Sequence, residues 1–302
     1  MATIPITDDD ERLHPVEDPS PQWSDSLCFT AWDPGTDTLV MTRITVQANA
    51  GRATGGFLVW RDGVPVYAKG FRVSEIPATD WDVMAVGGLT YRMLSSGRAW
   101  AVQLSDRDGA GQSHLEWHGL GDPVSYEGHP GGALPRAVAW GHYEQTCRVT
   151  GDLIVGGQRT RVDGFGQRDH SWGLTHWAGL HQWHSISGVL IDGRGFNVFE
   201  VQSHADVTTV TGYLQRQDGS HYVVAARRDL VRSDDGGAER CRVDLELAGG
   251  QLLSVSGRRA GTCIPVRPTE DQPVVVLETP MRLEAEGVAG YGIYEHLVTE
   301  FD

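Results

Sequence analysis

Positive charge is scarce in this sequence. Its 302 residues carry 25 Lys and Arg against 40 Asp and Glu, a formal net charge of −15. Nucleic acids and anionic membranes both select for clustered Lys and Arg. No basic stripe occurs, so neither is expected as a partner. Cysteine is sparse too: Cys28, Cys147, Cys241 and Cys263 stand far apart, with no C-x-x-C pair. That argues against a disulfide framework and against structural zinc. No apolar run reaches bilayer-spanning length, so no membrane insertion is expected. The first residues, with Asp8, Asp9 and Asp10, lack the basic and apolar regions of a signal peptide, and a cytoplasmic protein is the expectation. Long 3.6-residue periodicity is missing. So are the G-x-S-x-G elbow and the glycine loops that cradle phosphates, which disfavours acyl-serine hydrolysis and nucleotide chemistry.

What the sequence has instead is glycine, 38 of them. Asp62-Gly63, Asp192-Gly193, Asp218-Gly219 and Asp235-Gly236 punctuate short alternating segments, a strong hairpin signal. Many short strands at steady spacing predict an all-β chain. Gly56-Phe57-Leu58 leads to Asp62-Gly63, and Gly212-Tyr213-Leu214 leads to Asp218-Gly219, an offset of 212 − 56 = 156 residues. With the Gly/Pro-rich middle, this predicts two related β domains. The expected division is an acidic N-terminal arm over 1–22, lying across the surface or partly disordered, then β domains over 23–140 and 141–302.

The densest chemistry lies just past the middle. Gly164-Phe165-Gly166-Gln167-Arg168-Asp169-His170-Ser171-Trp172-Gly173 continues through His176-Trp177 to His181-Gln182-Trp183-His184. Tryptophans this close, mixed with a few polar groups, suit a cavity wall. In a strand, Asp169 and Ser171 share one face while Arg168, His170 and Trp172 share the other. An Asp facing an apolar cavity has its pKa raised and can serve as acid or base. The competing reading is an Asp paired with a nearby Arg. His176, His181 and His184 match no usual zinc spacing, so no metal is expected. Ser171, His170 and Asp169 are adjacent and cannot form a triad. Tyr143, Glu144 and Gln145, with Glu295 near the end, offer polar groups among apolar ones and stand as supporting candidates.

The run Gly164-x-Gly166-x-Arg168-Asp169-His170-Ser171-Trp172-Gly173, with Gly290-x-Gly292-x-x-Glu295 near the end, resembles the carotenoid 1,2-hydratase (hydroxyneurosporene synthase)/AttH-like superfamily. Fungal decalin-forming Diels–Alderases are similar to the same group. The resemblance implies two tandem lipocalin-like (calycin-type) β-barrel or sandwich domains with a ligand pocket between or within them. It also implies an enzyme acting on an apolar isoprenoid, polyketide or steroid-like molecule by hydration, isomerisation or cyclisation, without a cofactor. A non-catalytic carrier or sensor of hydrophobic small molecules is the alternative. On this reading Asp169, His170 and Arg168 are the catalytic candidates. Trp172, His176, Trp177, Trp183, His184, Tyr143 and Glu295 are the substrate-binding ones. One departure stands out: where relatives often carry Arg, two positions after the last motif glycine, this chain has Thr175. If that Arg orients the acidic residue or a substrate oxygen, its role here passes to Arg168 or His176, or is absent.

Overall fold

The structure is a computed structural model and describes residues 4–74, 82–203, 207–267 and 274–299. Among these, 20 strands form two antiparallel sheets. The first contains β1 (Trp23–Asp33), β2 (Thr38–Gln47), β3 (Arg52–Arg61), β4 (Val64–Val73), β5 (Val83–Val86) and β6 (Leu89–Ser95). It continues with β7 (Ala99–Ser105), β8 (Gly111–Gly119), β9 (Val124–Ser125), β10 (Gly141–Val155) and β11 (Gln158–Leu174). The second holds β12 (Leu180–Leu190), β13 (Gly195–Ser203), β14 (Thr208–Arg216), β15 (Gly219–Arg232) and β16 (Ala238–Leu247). It ends with β17 (Leu252–Arg259), β18 (Ile264–Val266), β19 (Val274–Ala285) and β20 (Val288–Thr299).

Both sheets curl. The second closes because β17 pairs with β19 as well as β16, making a ring of β12 to β17 with β19 and β20. The first runs β4-β3-β2-β1-β11-β10-β8-β7-β6-β5, and its end strands β4 and β5 touch without a ladder. Each encloses its own apolar core, one around Phe29, Trp100 and Trp117, the other around Phe196, Leu245 and Leu283. The expected all-β tandem-barrel architecture is therefore what the chain adopts. Among the described residues, no helix is long and apolar enough to cross a membrane.

The turn chemistry does its expected work. Asp62 and Gly63 both have positive φ, 50° and 75°, as a tight β3–β4 hairpin requires. A Cβ on Gly63 would lie 1.9 Å from the Ala260 carbonyl oxygen, so this turn also packs directly on the second barrel. The two Gly-aromatic-Leu segments fall on β3 and β14, the third strand of each sheet.

The expected division at residue 140 does not match the sheets. β10 and β11 belong to the first sheet, where β11 pairs with β1 over Trp23 to Trp32. The chain passes to the second sheet only between Leu174 and Leu180. That long-range pairing closes the first barrel and carries the motif strand with it. The described residues of the N-terminal arm are exposed or half-buried except Glu11, which is wholly buried against Trp100 and Arg168.

Outside the barrels, two apolar clusters bridge the sheets. One contains Cys28, Trp32, Met41, Trp60, Tyr291 and Ile293; the other is built around Trp177, Trp183, Phe199 and Val138. Between them lies a cleft.

Candidate active site

Strand β11 separates its side chains as a pleated strand must. Asp169 and Ser171 point out of the first barrel into the cleft, joined there by Glu144 and His142 of β10. Glu295 on β20 and Asn197 on β13 reach it from the second barrel. The cavity is about 80 Å³, with Trp177, Trp183, Phe199 and Val138 forming an apolar wall.

Asp169 takes part in no hydrogen bond or ion pair among the described residues. Burial pushes its carboxyl up to about 6; Glu144 adds to the shift, while His142 and Arg43 oppose it. Glu144 lies directly opposite Asp169 in the β10–β11 ladder. Its Oε1 meets His142 Nε2 at 2.9 Å and accepts from Tyr126 Oη at 3.3 Å and from Asn197 Nδ2. Burial outweighs these bonds and raises Glu144 to about 8. His142 is pushed down to about 4 by burial, and its Nδ1 lies 3.0 Å from Ser171 Oγ.

Ser171, His142 and Glu144 thus form a hydrogen-bonded chain that adjacency in sequence could not provide. Nδ1 rather than Nε2 faces the hydroxyl, and both His142 and Glu144 are pushed toward their neutral forms. This chain suits proton relay better than a nucleophilic serine.

The second barrel repeats the acid pair. Glu295 and Glu278 face each other across the β19–β20 ladder as Asp169 and Glu144 do across β10–β11. Gly164-Phe165-Gly166-x-x-Asp169 and Gly290-Tyr291-Gly292-x-x-Glu295 are the same pattern, displaced by 290 − 164 = 126 residues. The glycines are structural in both copies: a Cβ on Gly164 or Gly292 would sit 1.9 Å from a carbonyl oxygen of the neighbouring strand. Burial, then Asp169, raises Glu295 to about 7, and burial, then Glu295, pushes Glu278 well up. Glu278 Oε2 is buried without a hydrogen-bond partner.

Arg43 of β2 supplies a cation to this acidic site. It donates from Nη2 to Ser26 Oγ at 3.1 Å and lies 5.7 Å from the Trp177 ring centroid. Of the two residues expected to take the missing Arg's part, Arg168 binds Glu11 on the other face of β11 and His176 is exposed. Thr175 instead closes the edge of the cleft by hydrogen bonding to Ser24.

The opposite face of β11 has a different occupant. Arg168 enters the first barrel and binds Glu11 from the N-terminal arm, Nη2 to Oε1 at 2.6 Å and Nη1 to Oε2 at 3.1 Å. Both side chains are essentially inaccessible, at 1% and 0%. Gln145, Tyr143 and Trp100 complete the cage. His170 bonds Asp25 through Nε2 at 2.6 Å, and His14 of the arm reaches the other Asp25 oxygen at 3.0 Å. Burial alone would raise Asp25; the charges and hydrogen bonds of His170 and His14 overcome it and hold the carboxyl at about 2. His14 also stacks on Trp172, with ring centroids 3.7 Å apart.

His14, Asp25 and His170 present possible metal-ligand atoms within 4.8 Å of one another, but these atoms already bond one another. Of the expected catalytic residues, then, Asp169 faces the cleft, whereas Arg168 and His170 lock the arm. Trp177, Trp183 and Glu295 line the cleft, and Trp172 reaches its edge while stacking on His14. Tyr143 sits with Arg168. His184 lies inside the second barrel, 3.1 Å from Tyr294 Oη, and His176 is exposed. His142, Arg43 and Glu278 escaped sequence reasoning, and Glu144 stood there only as a supporting candidate. The repeated Gly-aromatic-Gly-x-x-acid pattern marks Glu295 as the partner of Asp169, and the opposing strands then give the other two acids.

The chain belongs to the family described as Domain of unknown function (DUF7064), whose model matches residues 7–299. No curated protein matches it in sequence. Its fold is shared with a protein described as AttH from Nitrosomonas europaea, at 13% identity, TM-score 0.66 and 93% coverage of each chain. CghA, solved with Sch210972, matches at 16% identity and TM-score 0.65, over 93% of this chain and 90% of that one. Kievitone hydratase from Nectria haematococca matches at 12% identity and TM-score 0.58, over 91% and 88%. The AttH-like resemblance in the motif is thus matched by the whole architecture.

Proposed function

We propose that this protein is an acid–base enzyme acting on an apolar, unsaturated small molecule in the inter-barrel cleft, with water addition as its reaction. The carrying observation is Asp169: a cavity-facing carboxyl with no hydrogen-bond partner among the described residues, held near neutrality by burial. A carboxyl that served only structure would be paired. One whose pKa lies near the working pH can give and recover a proton. A solved neighbour named as a hydratase is consistent with this chemistry.

Protonated Asp169 gives its proton to one alkene carbon; the π electrons form the new C–H bond, leaving a cation on the neighbouring carbon. Trp177 and Trp183 face that cation, and aromatic faces in desolvated sites stabilise cations by about 2 kcal/mol. Water adds to the cation. Its surplus proton passes to Glu295 or returns to Asp169, so the net change is one water added. Glu144, His142 and Ser171 connect Asp169's surroundings to a proton reserve.

The test is a screen of prenylated and polyene compounds in water labelled with deuterium and oxygen-18. Wild-type product is expected to carry both labels on adjacent carbons. Asp169→Asn is expected to slow the reaction by about 10²–10⁴-fold. Full activity in that variant removes the proton donor and leaves substrate folding by the cavity as the source of rate.

A further inference from the structure

The two acid pairs of the cleft are built alike and end differently. Asp169 faces Glu144 across β10–β11, and Glu144 is tied down by His142, Tyr126 and Asn197. Glu295 faces Glu278 across β19–β20. Glu278 is 3% exposed, and its Oε2 has no hydrogen-bond partner among the described residues. Side chains directly opposite in a ladder have Cβ atoms about 4.5–5.5 Å apart. The two carboxyls meet, and each hydrogen-bonds the other. Ionised carboxylates only accept, so that bond requires one of the two to carry a proton.

The pair also spans two cavities. Glu295 lines the acid cavity. Glu278 lines a second one, of about 480 Å³, bordered by β2, β3, β4 and β18, and is its one carboxyl among the described residues. The cavities adjoin, since Met41, Arg43, Thr175 and Trp177 line both. Glu295 of β20 and Asp169 of β11 oppose ionisation of Glu278, and Arg43 of β2 favours it. Arg52, Lys69, Arg72 and Arg267 also border the second cavity, and each has interactions of its own. One guanidinium cannot compensate three carboxyls, and full ionisation would leave like charges side by side in a desolvated site.

We propose that Glu278 and Glu295 share a single proton, and that Glu278 is the port through which the acid cavity exchanges protons with water in the larger one. The inference rests on the reading of the acid cavity as the reaction site. After water addition Asp169 is ionised and Glu295 holds the water's surplus proton. Resetting the site takes one proton off Glu295 and puts one onto Asp169. Glu278 accepts the first while handing its own to water in the larger cavity, and the reverse passage supplies the second. No proton is gained or lost over the cycle.

Infrared spectroscopy of the protonated-carboxyl bands tests this without a substrate. At pH 8, Glu278→Gln is expected to lose one protonated carboxyl relative to the wild type. Glu295→Gln should lower the pH at which the Glu278 band disappears by about one pH unit or more, because the like charge is gone. That variant carries the decision where Glu278→Gln fails to fold. An unchanged band in the first, or an unmoved midpoint in the second, overturns the shared proton. The port is read at pH 5 by rapid transfer into deuterium oxide, following exchange at the Asp169 carboxyl, identified by its absence in Asp169→Asn. Glu278→Gln and Glu295→Gln should each slow that exchange by about 10²-fold, the lower end of what a positioned proton carrier contributes. Exchange at the wild-type rate overturns the port. Full activity of Asp169→Asn would defeat the acid–base reading while leaving both infrared results standing.

Discussion

The two faces of β11 carry consecutive residues to opposite ends of the polar-satisfaction scale. Inside the first barrel, Arg168 and His170 are fully partnered, by Glu11 and Tyr143 and by Asp25. Facing the cleft, Asp169 has no hydrogen bond among the described residues, and its pKa is raised to about 6. A buried charge that is completely paired fixes structure; one left without partners retains a proton equilibrium that chemistry can use. One motif thus serves two ends: Arg168 and His170 on one face hold the arm, and Asp169 and Ser171 on the other build the site.

The comparison can be broken from the inner face first. Glu11→Ala leaves Arg168 as an uncompensated buried cation, a change that costs about 3–5 kcal/mol. Chemical denaturation should show that loss. Replacing both Glu11 and Arg168 by methionine should recover much of it, because no orphan charge remains. If Glu11→Ala unfolds at the wild-type midpoint, the arm is not the lock described here.

Next comes pH. Asp169, Glu295 and Glu144 have folded pKa values raised to about 6, 7 and 8. The native state therefore binds their protons more tightly than the unfolded chain does. Their contribution is fully present below the unfolded carboxyl range and is lost as pH rises through 6 to 8. Asp25 works in the opposite sense, since its folded pKa is depressed to about 2. Its contribution is present above the unfolded value and is lost only in strong acid. Buried His142 and His296, depressed to about 4, add stability as pH rises to the ordinary histidine range, so Tm is expected to fall above it, from pH 7 to pH 8.5. Glu144→Gln should flatten that slope, and an unchanged slope would show Glu144 to be solvated.

Smaller effects are expected at the arm's second contact. His14→Ala removes one hydrogen bond to Asp25 and the stack on Trp172, together about 1–2 kcal/mol. His176→Ala should change stability by less than about 0.5 kcal/mol, as an exposed side chain does. It should also leave activity unaltered, in contrast to Asp169→Asn.

The sequence made the barrels legible because their signals are local. Asp62-Gly63 and the strands around it need only a few neighbouring residues to be read. Alternation on β11 likewise separated Asp169 from Arg168 correctly. What stayed hidden was pairing over distance. Nothing near residue 168 points to Glu11, which is 157 positions away, or places β11 beside β1. The boundary at 140 failed for the same reason: the closing strands of the first barrel come after a Gly/Pro-rich connection that looks like a linker. Glu278 sits in a strand whose pattern gives no sign of a cavity, and only its place opposite Glu295 identifies it; Glu144 stands out as a polar group among apolar ones but joins the site only through its place opposite Asp169.

The central claim is that Asp169 serves the cleft at some cost to stability, while its neighbours serve the fold. Thermal unfolding of Asp169→Asn at pH 8, beside the wild type, tests it without knowledge of the substrate. At that pH the wild-type carboxylate is ionised and desolvated, so the neutral amide should give an equal or higher Tm, by about 2–4 °C for each kcal/mol released. A clear fall in Tm would place Asp169 among the structural residues and contradict the account.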